Sequence, residues 1–187
     1  MLAAAAALFA ERGYLGVSID DLGAAVGVSG PALYRHFPGK AGVLAAILID
    51  ASRALLEGGE RVAAGASDPE RTLAELVEFH VAFASENPDV ILVQDRELDQ
   101  LDPADRHEVR SMQRRYVELW VEVLRPMHPG IDTVNLRTRA HAAFGLMNST
   151  PYAAPRGTHA DVRALRELLG RMARAALTAP GSEYPMR

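Results

Sequence analysis

The sequence predicts an all-α fold. Apolar residues recur at intervals of three and four, and the alternating β-branched runs of a half-buried strand are missing. Three Asx-Pro pairs, Asp68-Pro69, Asn87-Pro88 and Asp102-Pro103, each place an N-cap side chain before a proline at the first helical position, where its missing N–H costs nothing. Helices are therefore expected to begin at 69, 88 and 103.

The elements follow in order. Leu2 to Ala10 reads as a core-facing helix, ended by Glu11-Arg12-Gly13. Ser18 with Asp21 opens the next as a capping box in which Asp replaces Glu or Gln, Leu22 and Val26 form its apolar stripe, and Gly27 turns the chain. Ser29 caps a third helix that sends Leu33, with Phe37, into a small core. With Gly39 and the 126–130 segment as further breaks, about nine helices are expected near 2–12, 19–26, 30–36, 40–62, 69–85, 88–99, 103–125, 132–148 and 161–178. Short helices first and long ones later divide the chain into a module at 1–45 and a bundle at 46–180, with 181–187 a loose tail.

Composition narrows the function. The chain has 187 residues, 49% hydrophobic and 24% charged, which argues against disorder, collagen-like repeats and membrane spanning. No basic region precedes the apolar N-terminal stretch, and no apolar run reaches the roughly 18 residues of a membrane span, so a cytoplasmic protein is expected. The absence of cysteine rules out disulfide scaffolds, zinc–cysteine sites, iron–sulfur clusters and thiol nucleophiles. No G-x-S-x-G, Walker loop, dinucleotide fingerprint or H-E-x-x-H occurs, and no two of the six histidines stand three or four apart. The expectation is no enzyme, no metal and no cofactor. The formal charge of −4 does not by itself advertise a nucleic-acid partner. Residues 1–48, however, are neutral: Arg12, Arg35 and Lys40, the sole lysine, stand against Glu11, Asp20 and Asp21.

Residues 18–36 have the helix-turn-helix pattern. Small residues Gly23, Ala24 and Ala25 allow a close crossing, and Gly30, Pro31, Ala32, Tyr34 and His36 remain outward. That set suits a duplex, with small side chains at the N-terminal end of a helix against base edges and polar groups against phosphates. From Ala7-Leu8-Phe9 and Gly13-Tyr14, through Gly27-Val28-Ser29 and Leu33-Tyr34-Arg35-His36-Phe37, to Lys40 and Leu48, the chain closely resembles the DNA-binding domain of the tetracycline-repressor (TetR) family of bacterial transcription regulators. The resemblance implies a homodimer that places its third helices in successive major grooves of a pseudopalindromic operator. By position, Ser18 would hold phosphate, Ser29, Gly30, Pro31 and Ala32 would lie on base edges, and Tyr34, His36 and Lys40 would grip the backbone. Arg35 would add readout if it reaches. Many relatives carry a basic arm before the first helix; this sequence begins almost at that helix, so such an arm is either lacking or trimmed from it. No Arg, Asn or Gln stands at 30–32 for bidentate readout, which shifts specificity toward methyl contacts and operator shape.

In the bundle, helix 103–125 aligns Val109, Met112, Tyr116, Leu119, Trp120 and Val123, and helix 69–85 aligns Leu73, Leu76, Val77, His80 and Ala84. The family resemblance makes the interior between such faces a ligand pocket. Polar groups on an apolar wall nominate His80, Gln94, Met112, Tyr116, Trp120, His141, Phe144 and Asn148, although for each a hydrogen-bonded or packed core residue is an equal alternative. Asp95, Glu97 and Asp99 around Arg96 read as a solvated face. Helix 161–178 repeats Val162, Leu165, Leu169, Met172 and Ala176 at 3-4 spacing, and helix 132–148 offers Ala140, Ala143 and Met147, together a candidate dimer interface. The stretch 137–155 resembles actinobacterial members that sense acyl-CoA or other lipid metabolites.

These features lead to a ligand-responsive regulator, a repressor binding operator DNA as a homodimer and released by a small apolar effector of acyl-CoA or lipid-like class. The alternative is a helical ligand-binding or interaction protein of the same fold with weak or lost operator binding, motivated by the missing arm and the short base-facing side chains.

Overall fold

The computed structural model describes residues 1–28, 33–65, 68–153 and 161–180. Among them every regular element is helical: α1 (Leu2–Arg12), α2 (Ile19–Val26), α3 (Gly39–Gly65), α4 (Pro69–Glu86), α5 (Pro88–Glu97), α6 (Pro103–Leu124), α7 (Thr133–Met147), α8 (Thr150–Ala153) and α9 (Val162–Thr178), with 3-10 turns at Leu98–Gln100 and Arg125–Met127. Helices α4, α5 and α6 begin at the prolines of the three Asx-Pro pairs. Asp68 accepts from the Arg71 amide at 2.9 Å, and Asp102 accepts from the Ala104 and Asp105 amides, each at 2.9 Å. Asn87 differs: at φ −125° and ψ 49° its side chain makes no cap bond to α5. Helix α8 was not expected; the chain leaves α7 at Asn148-Ser149, and Ser149 O then accepts from Tyr152 and Ala153 to close one more turn.

The chain forms two compact units, Met1–Leu55 with Asn87–Gln113, and Leu56–Glu86 with Arg114–Arg187. This partition differs from the chain-order division at residue 45. The physical reason is that α1 packs on α5, which brings residues after 87 into the first unit, while α3 and α6 each run through both.

In the first unit α1 turns Ala5, Ala6, Phe9 and Ala10 inward against α2 and α5. Phe9, Leu22, Leu33, Leu44, Leu48, Val93 and Val109 make its core, each almost wholly buried. At about 1.5–3 kcal/mol for a fully buried large aliphatic or aromatic side chain, this core carries most of the local stability. Ser18 and Asp21 form the reciprocal capping box, and Gly27 ends α2 in the left-handed region at φ 74°, a conformation that a side chain at Cβ would penalise.

In the second unit α9 lies along both α4 and α7. Leu73, Leu76, Val77, His80, Val81 and Ala84 are the buried face of α4, and Leu136, Ala140, Ala143 and Met147 that of α7. This bears on the expected subunit interface. Ala140, Ala143 and Met147, together with Leu169, are already covered by the chain's own helices, because the stripe of α7 that suits a partner equally suits α4 and α9. The apolar arc of α9 is wider than one contact requires. Its Leu169, Ala173 and Leu177 side is buried, while Val162, Leu168 and Met172 are 48%, 46% and 44% exposed and Leu165 and Ala176 lie between.

No helix among the described residues is long and apolar enough to cross a membrane.

Candidate functional site

The helix-turn-helix residues belong to the first unit. Ser29, Gly30, Pro31 and Ala32 lie outside the described residues. Just beyond them Leu33 is buried, and its carbonyl accepts from the His36 and Phe37 amides, both at 3.0 Å, which closes a helical turn and sets Tyr34, Arg35 and His36 outward. Tyr34 is 58% exposed. Ser18 is exposed too, but its hydroxyl donates to Asp21 Oδ2 and accepts from the Asp21 amide, while its own amide donates to the same carboxylate. These bonds from Ser18, aided by the Arg12 guanidinium 3.7 Å away, hold the Asp21 pKa below the usual carboxylate range.

Lys40 is placed differently from the other outward residues. Its ammonium donates to the carbonyls of Tyr14 at 2.8 Å and Val17 at 2.9 Å, and it lies 4.4 Å from the centroid of the Tyr14 ring. Two of its three N–H donors are therefore spent inside the protein, in the part of the chain where the sequence led us to expect a phosphate contact.

In the second unit five of the eight pocket candidates come together. His80 stacks on Phe144 with ring centroids 5.0 Å apart and on Tyr116 at 5.8 Å, and Trp120 presents its ring edge-on to all three. The imidazole is held at both nitrogens: Nδ1 lies 3.2 Å from the Tyr116 hydroxyl and Nε2 lies 3.1 Å from Asn148 Oδ1. With Oδ1 as acceptor, Nε2–H donates to Asn148, and Nδ1 accepts from the Tyr116 O–H, so one neutral tautomer satisfies the whole chain of groups. Burial drives the His80 pKa down to about 4, with the Asn148 bond opposing weakly. The same burial pushes the Tyr116 hydroxyl well above its ordinary pKa, offset only in part by the nearby Trp120 indole. That indole is fully buried, and its N–H reaches no acceptor in good hydrogen-bond geometry.

The other three candidates are elsewhere. Gln94 and Met112 belong to the first unit. His141 is exposed on α7 and meets the cluster only through an edge contact with Phe144 at 6.3 Å. Gly58 and Gly59 of α3 were missed: they form a notch that admits the rings of Phe79 and Tyr116. A glycine pair inside a long helix was the available signal. The second unit also holds an open cleft of about 540 Å³ between α4 and α9, walled by Val77 and Val81 on one side and by Arg166, Arg171 and Arg174 on the other.

Residues 1–47 match the model of bacterial regulatory proteins of the tetR family, and residues 66–152 match that of the tetracyclin repressor-like C-terminal domain. The chain belongs to the TetR family. As a TetR-family protein it is a transcriptional regulator rather than an enzyme. A TetR family transcriptional regulator from Thermus thermophilus, PfmR, is 26% identical over 94% of this chain and 96% of its own, with a TM-score of 0.80. A TetR-family regulator from Bordetella parapertussis is also 26% identical, over 92% of this chain and 91% of its own, at 0.79. AibR, solved in complex with isovaleryl coenzyme A and operator DNA, shares the fold at 19% identity and a TM-score of 0.76, over 96% of this chain and 97% of its own. No curated protein matches the sequence.

Proposed function

We propose that this TetR-family regulator binds a pseudopalindromic operator as a homodimer, represses from it, and is released when an apolar effector of acyl-CoA or lipid-like class enters the wall of rings around His80. The observation that carries the reading is the His80 relay. One neutral polar axis, from the Tyr116 hydroxyl through the imidazole to Asn148, crosses an otherwise aromatic interior, which is the composition of a small-molecule site. AibR, bound to an acyl-CoA and to operator DNA, is a structural neighbour and supports the effector class. Tyr34, Arg35 and His36 face outward where a duplex would lie, and the neighbouring Ser29, Gly30, Pro31 and Ala32 would meet the bases. The uncovered side of α9, with Val162, Leu165, Leu168, Met172 and Ala176, is the dimer face in this reading.

Tyr116 lies in the glycine notch of α3. An effector that shifts that ring would shift α3, whose first turn carries Lys40, and move the recognition helices off the groove spacing of about 34–36 Å. Coupling of this kind is reciprocal, so the effector must bind the operator complex more weakly than the free dimer, by the factor it weakens operator binding. The test takes a duplex selected by the wild-type protein from a randomised library and titrates isovaleryl-CoA and stearoyl-CoA against the complex. Release by either, with matching loss of acyl-CoA affinity when DNA is bound, supports the reading. Acyl-CoA binding with no duplex selected would leave a ligand-binding protein of this fold, a reading that the internal engagement of Lys40 favours.

A further inference from the structure

The turn between α1 and α2, residues 13–17, is held by side chains from two other helices. Both peptide groups of Tyr14 are taken. Its N–H donates to Glu97 Oε1 at 3.1 Å, from the last residue of α5, and its carbonyl accepts from Lys40 Nζ, from the first turn of α3. Lys40 also binds the carbonyl of Val17, the residue before the Ser18 cap, and the Tyr14 ring that covers the ammonium rests on Phe9 in the core at 5.8 Å. Glu97 is therefore no part of a solvated acidic face. Asp99, two residues on, does face solvent and lies near Arg106 and Arg110. All the atoms of this clamp belong to the first unit.

We propose that Glu97 and Lys40 are positioning residues for operator binding, fixing the angle at which the capped α2 leaves α1, with Lys40 acting on main-chain carbonyls and not as a phosphate contact. The carbonyls of Tyr14 and Val17 have no helical partner on their own side, because the chain leaves α1 at Gly13 and starts α2 only at Ile19. An ammonium with several donors can join two such acceptors at once, and a carboxylate can take the Tyr14 amide that precedes them. Apart from the pair, the main-chain bonds of the turn are the 2.8 Å bond from the Gly13 amide to Phe9 O and the long 3.5 Å bond from the Val17 amide to Tyr14 O. This inference rests on the operator-binding reading, and it makes an unusual prediction: truncating an acidic side chain of a DNA-binding protein should weaken its hold on DNA, and what counts is the lost hydrogen-bond acceptor and not the lost charge.

The experiment has a DNA-free arm and a DNA arm. In the DNA-free dimer, amide hydrogen exchange is followed at residues 14–18 in wild type, Glu97→Ala, Glu97→Gln and Lys40→Met. The clamp requires the Tyr14 amide to exchange about tenfold faster or more in Glu97→Ala, and protection to return in Glu97→Gln, whose amide oxygen accepts the same bond. With the duplex selected by wild type, Glu97→Ala should lose operator affinity and Glu97→Gln should keep it. Lys40→Met should lose affinity with an unchanged salt slope, since a lost phosphate contact would lower the slope by about 0.9 per protomer. Unchanged exchange at Tyr14, a Glu97→Ala protein that binds as tightly as wild type or tighter, or a salt slope reduced by about two for the Lys40→Met dimer overturns the proposal. If wild type selects no duplex, the operator reading fails, and the exchange arm still decides whether the clamp exists.

Discussion

Gly59 of α3 and the ring of Tyr116 are packed so closely that a Cβ on Gly59 would lie 2.6 Å from Tyr116 Cε2. At Gly58 the added carbon would be 2.1 Å from Phe79 Cζ. Both approaches are well inside van der Waals contact, so the rings have to move.

Gly59→Ala is expected to destabilise the protein by about 1–3 kcal/mol, the usual result of overpacking, and to weaken effector binding by displacing the Tyr116 hydroxyl from His80. Gly145→Ala is the contrasting substitution. Gly145 is an exposed helical glycine in α7 with nothing within 4 Å of a Cβ, so alanine there should stabilise by about 0.5–1 kcal/mol. Denaturant unfolding of the two variants and wild type measures both signs.

The His80 pKa makes stability depend on pH. The imidazole titrates near 6.5 when unfolded and at about 4 in the folded chain, so the unfolded chain binds more protons between those values. This contribution is fully present above pH 6.5 and is lost as pH falls toward 4, by roughly 3 kcal/mol, since each tenfold change in proton affinity is worth about 1.4 kcal/mol. His80→Gln should remove that part of the slope. Urea midpoints of wild type and variant at pH 7 and pH 4.5 would show it as a difference of differences.

The relay has two ends that can be cut separately. Tyr116→Phe leaves Nδ1 of His80 without its donor, and Asn148→Ala leaves Nε2–H without its acceptor; each should cost about 1–3 kcal/mol because the orphaned group stays buried. The double variant should cost less than the sum, since both act on one imidazole. A thermodynamic cycle of unfolding free energies tests this.

Much of this architecture was legible in the chain. Asp68, Asn87 and Asp102 before prolines mark three helix starts to the residue, and the 3-4 spacing of His80 with Leu73, Leu76 and Val77, and of Tyr116 with Met112 and Trp120, puts these side chains on buried faces. What periodicity could not give was the partner of each face. Ala143 and Leu169 look like interface residues because an inner and an outer apolar stripe have the same repeat. Charge was misleading in the same way. Lys40 reads as a phosphate contact and Glu97 as part of a solvated face, but their bonds run to main-chain atoms of residues 14 and 17, and backbone donors and acceptors leave no trace in residue identity.

The two stripes of α9 can be told apart in solution. Met172→Arg, on the uncovered side, should shift the protein toward monomer in sedimentation while leaving its unfolding midpoint as a monomer little changed. Ala173→Arg, on the covered side, would bury a charge against α4 and α7 and should unfold the second unit, at about 3–5 kcal/mol or more.

Trp120 is the single tryptophan of the chain, wholly enclosed, and touched by Tyr116, Phe144 and His80. The protein thereby carries a built-in optical probe at the centre of the ring cluster proposed to meet the effector. Any molecule that displaces a neighbouring ring changes the surroundings of the only indole, so the intensity and wavelength of its emission can be used to screen unlabelled metabolites. A compound that alters the indole signal in wild type but not in Gly59→Ala would identify the effector before any regulated gene is known.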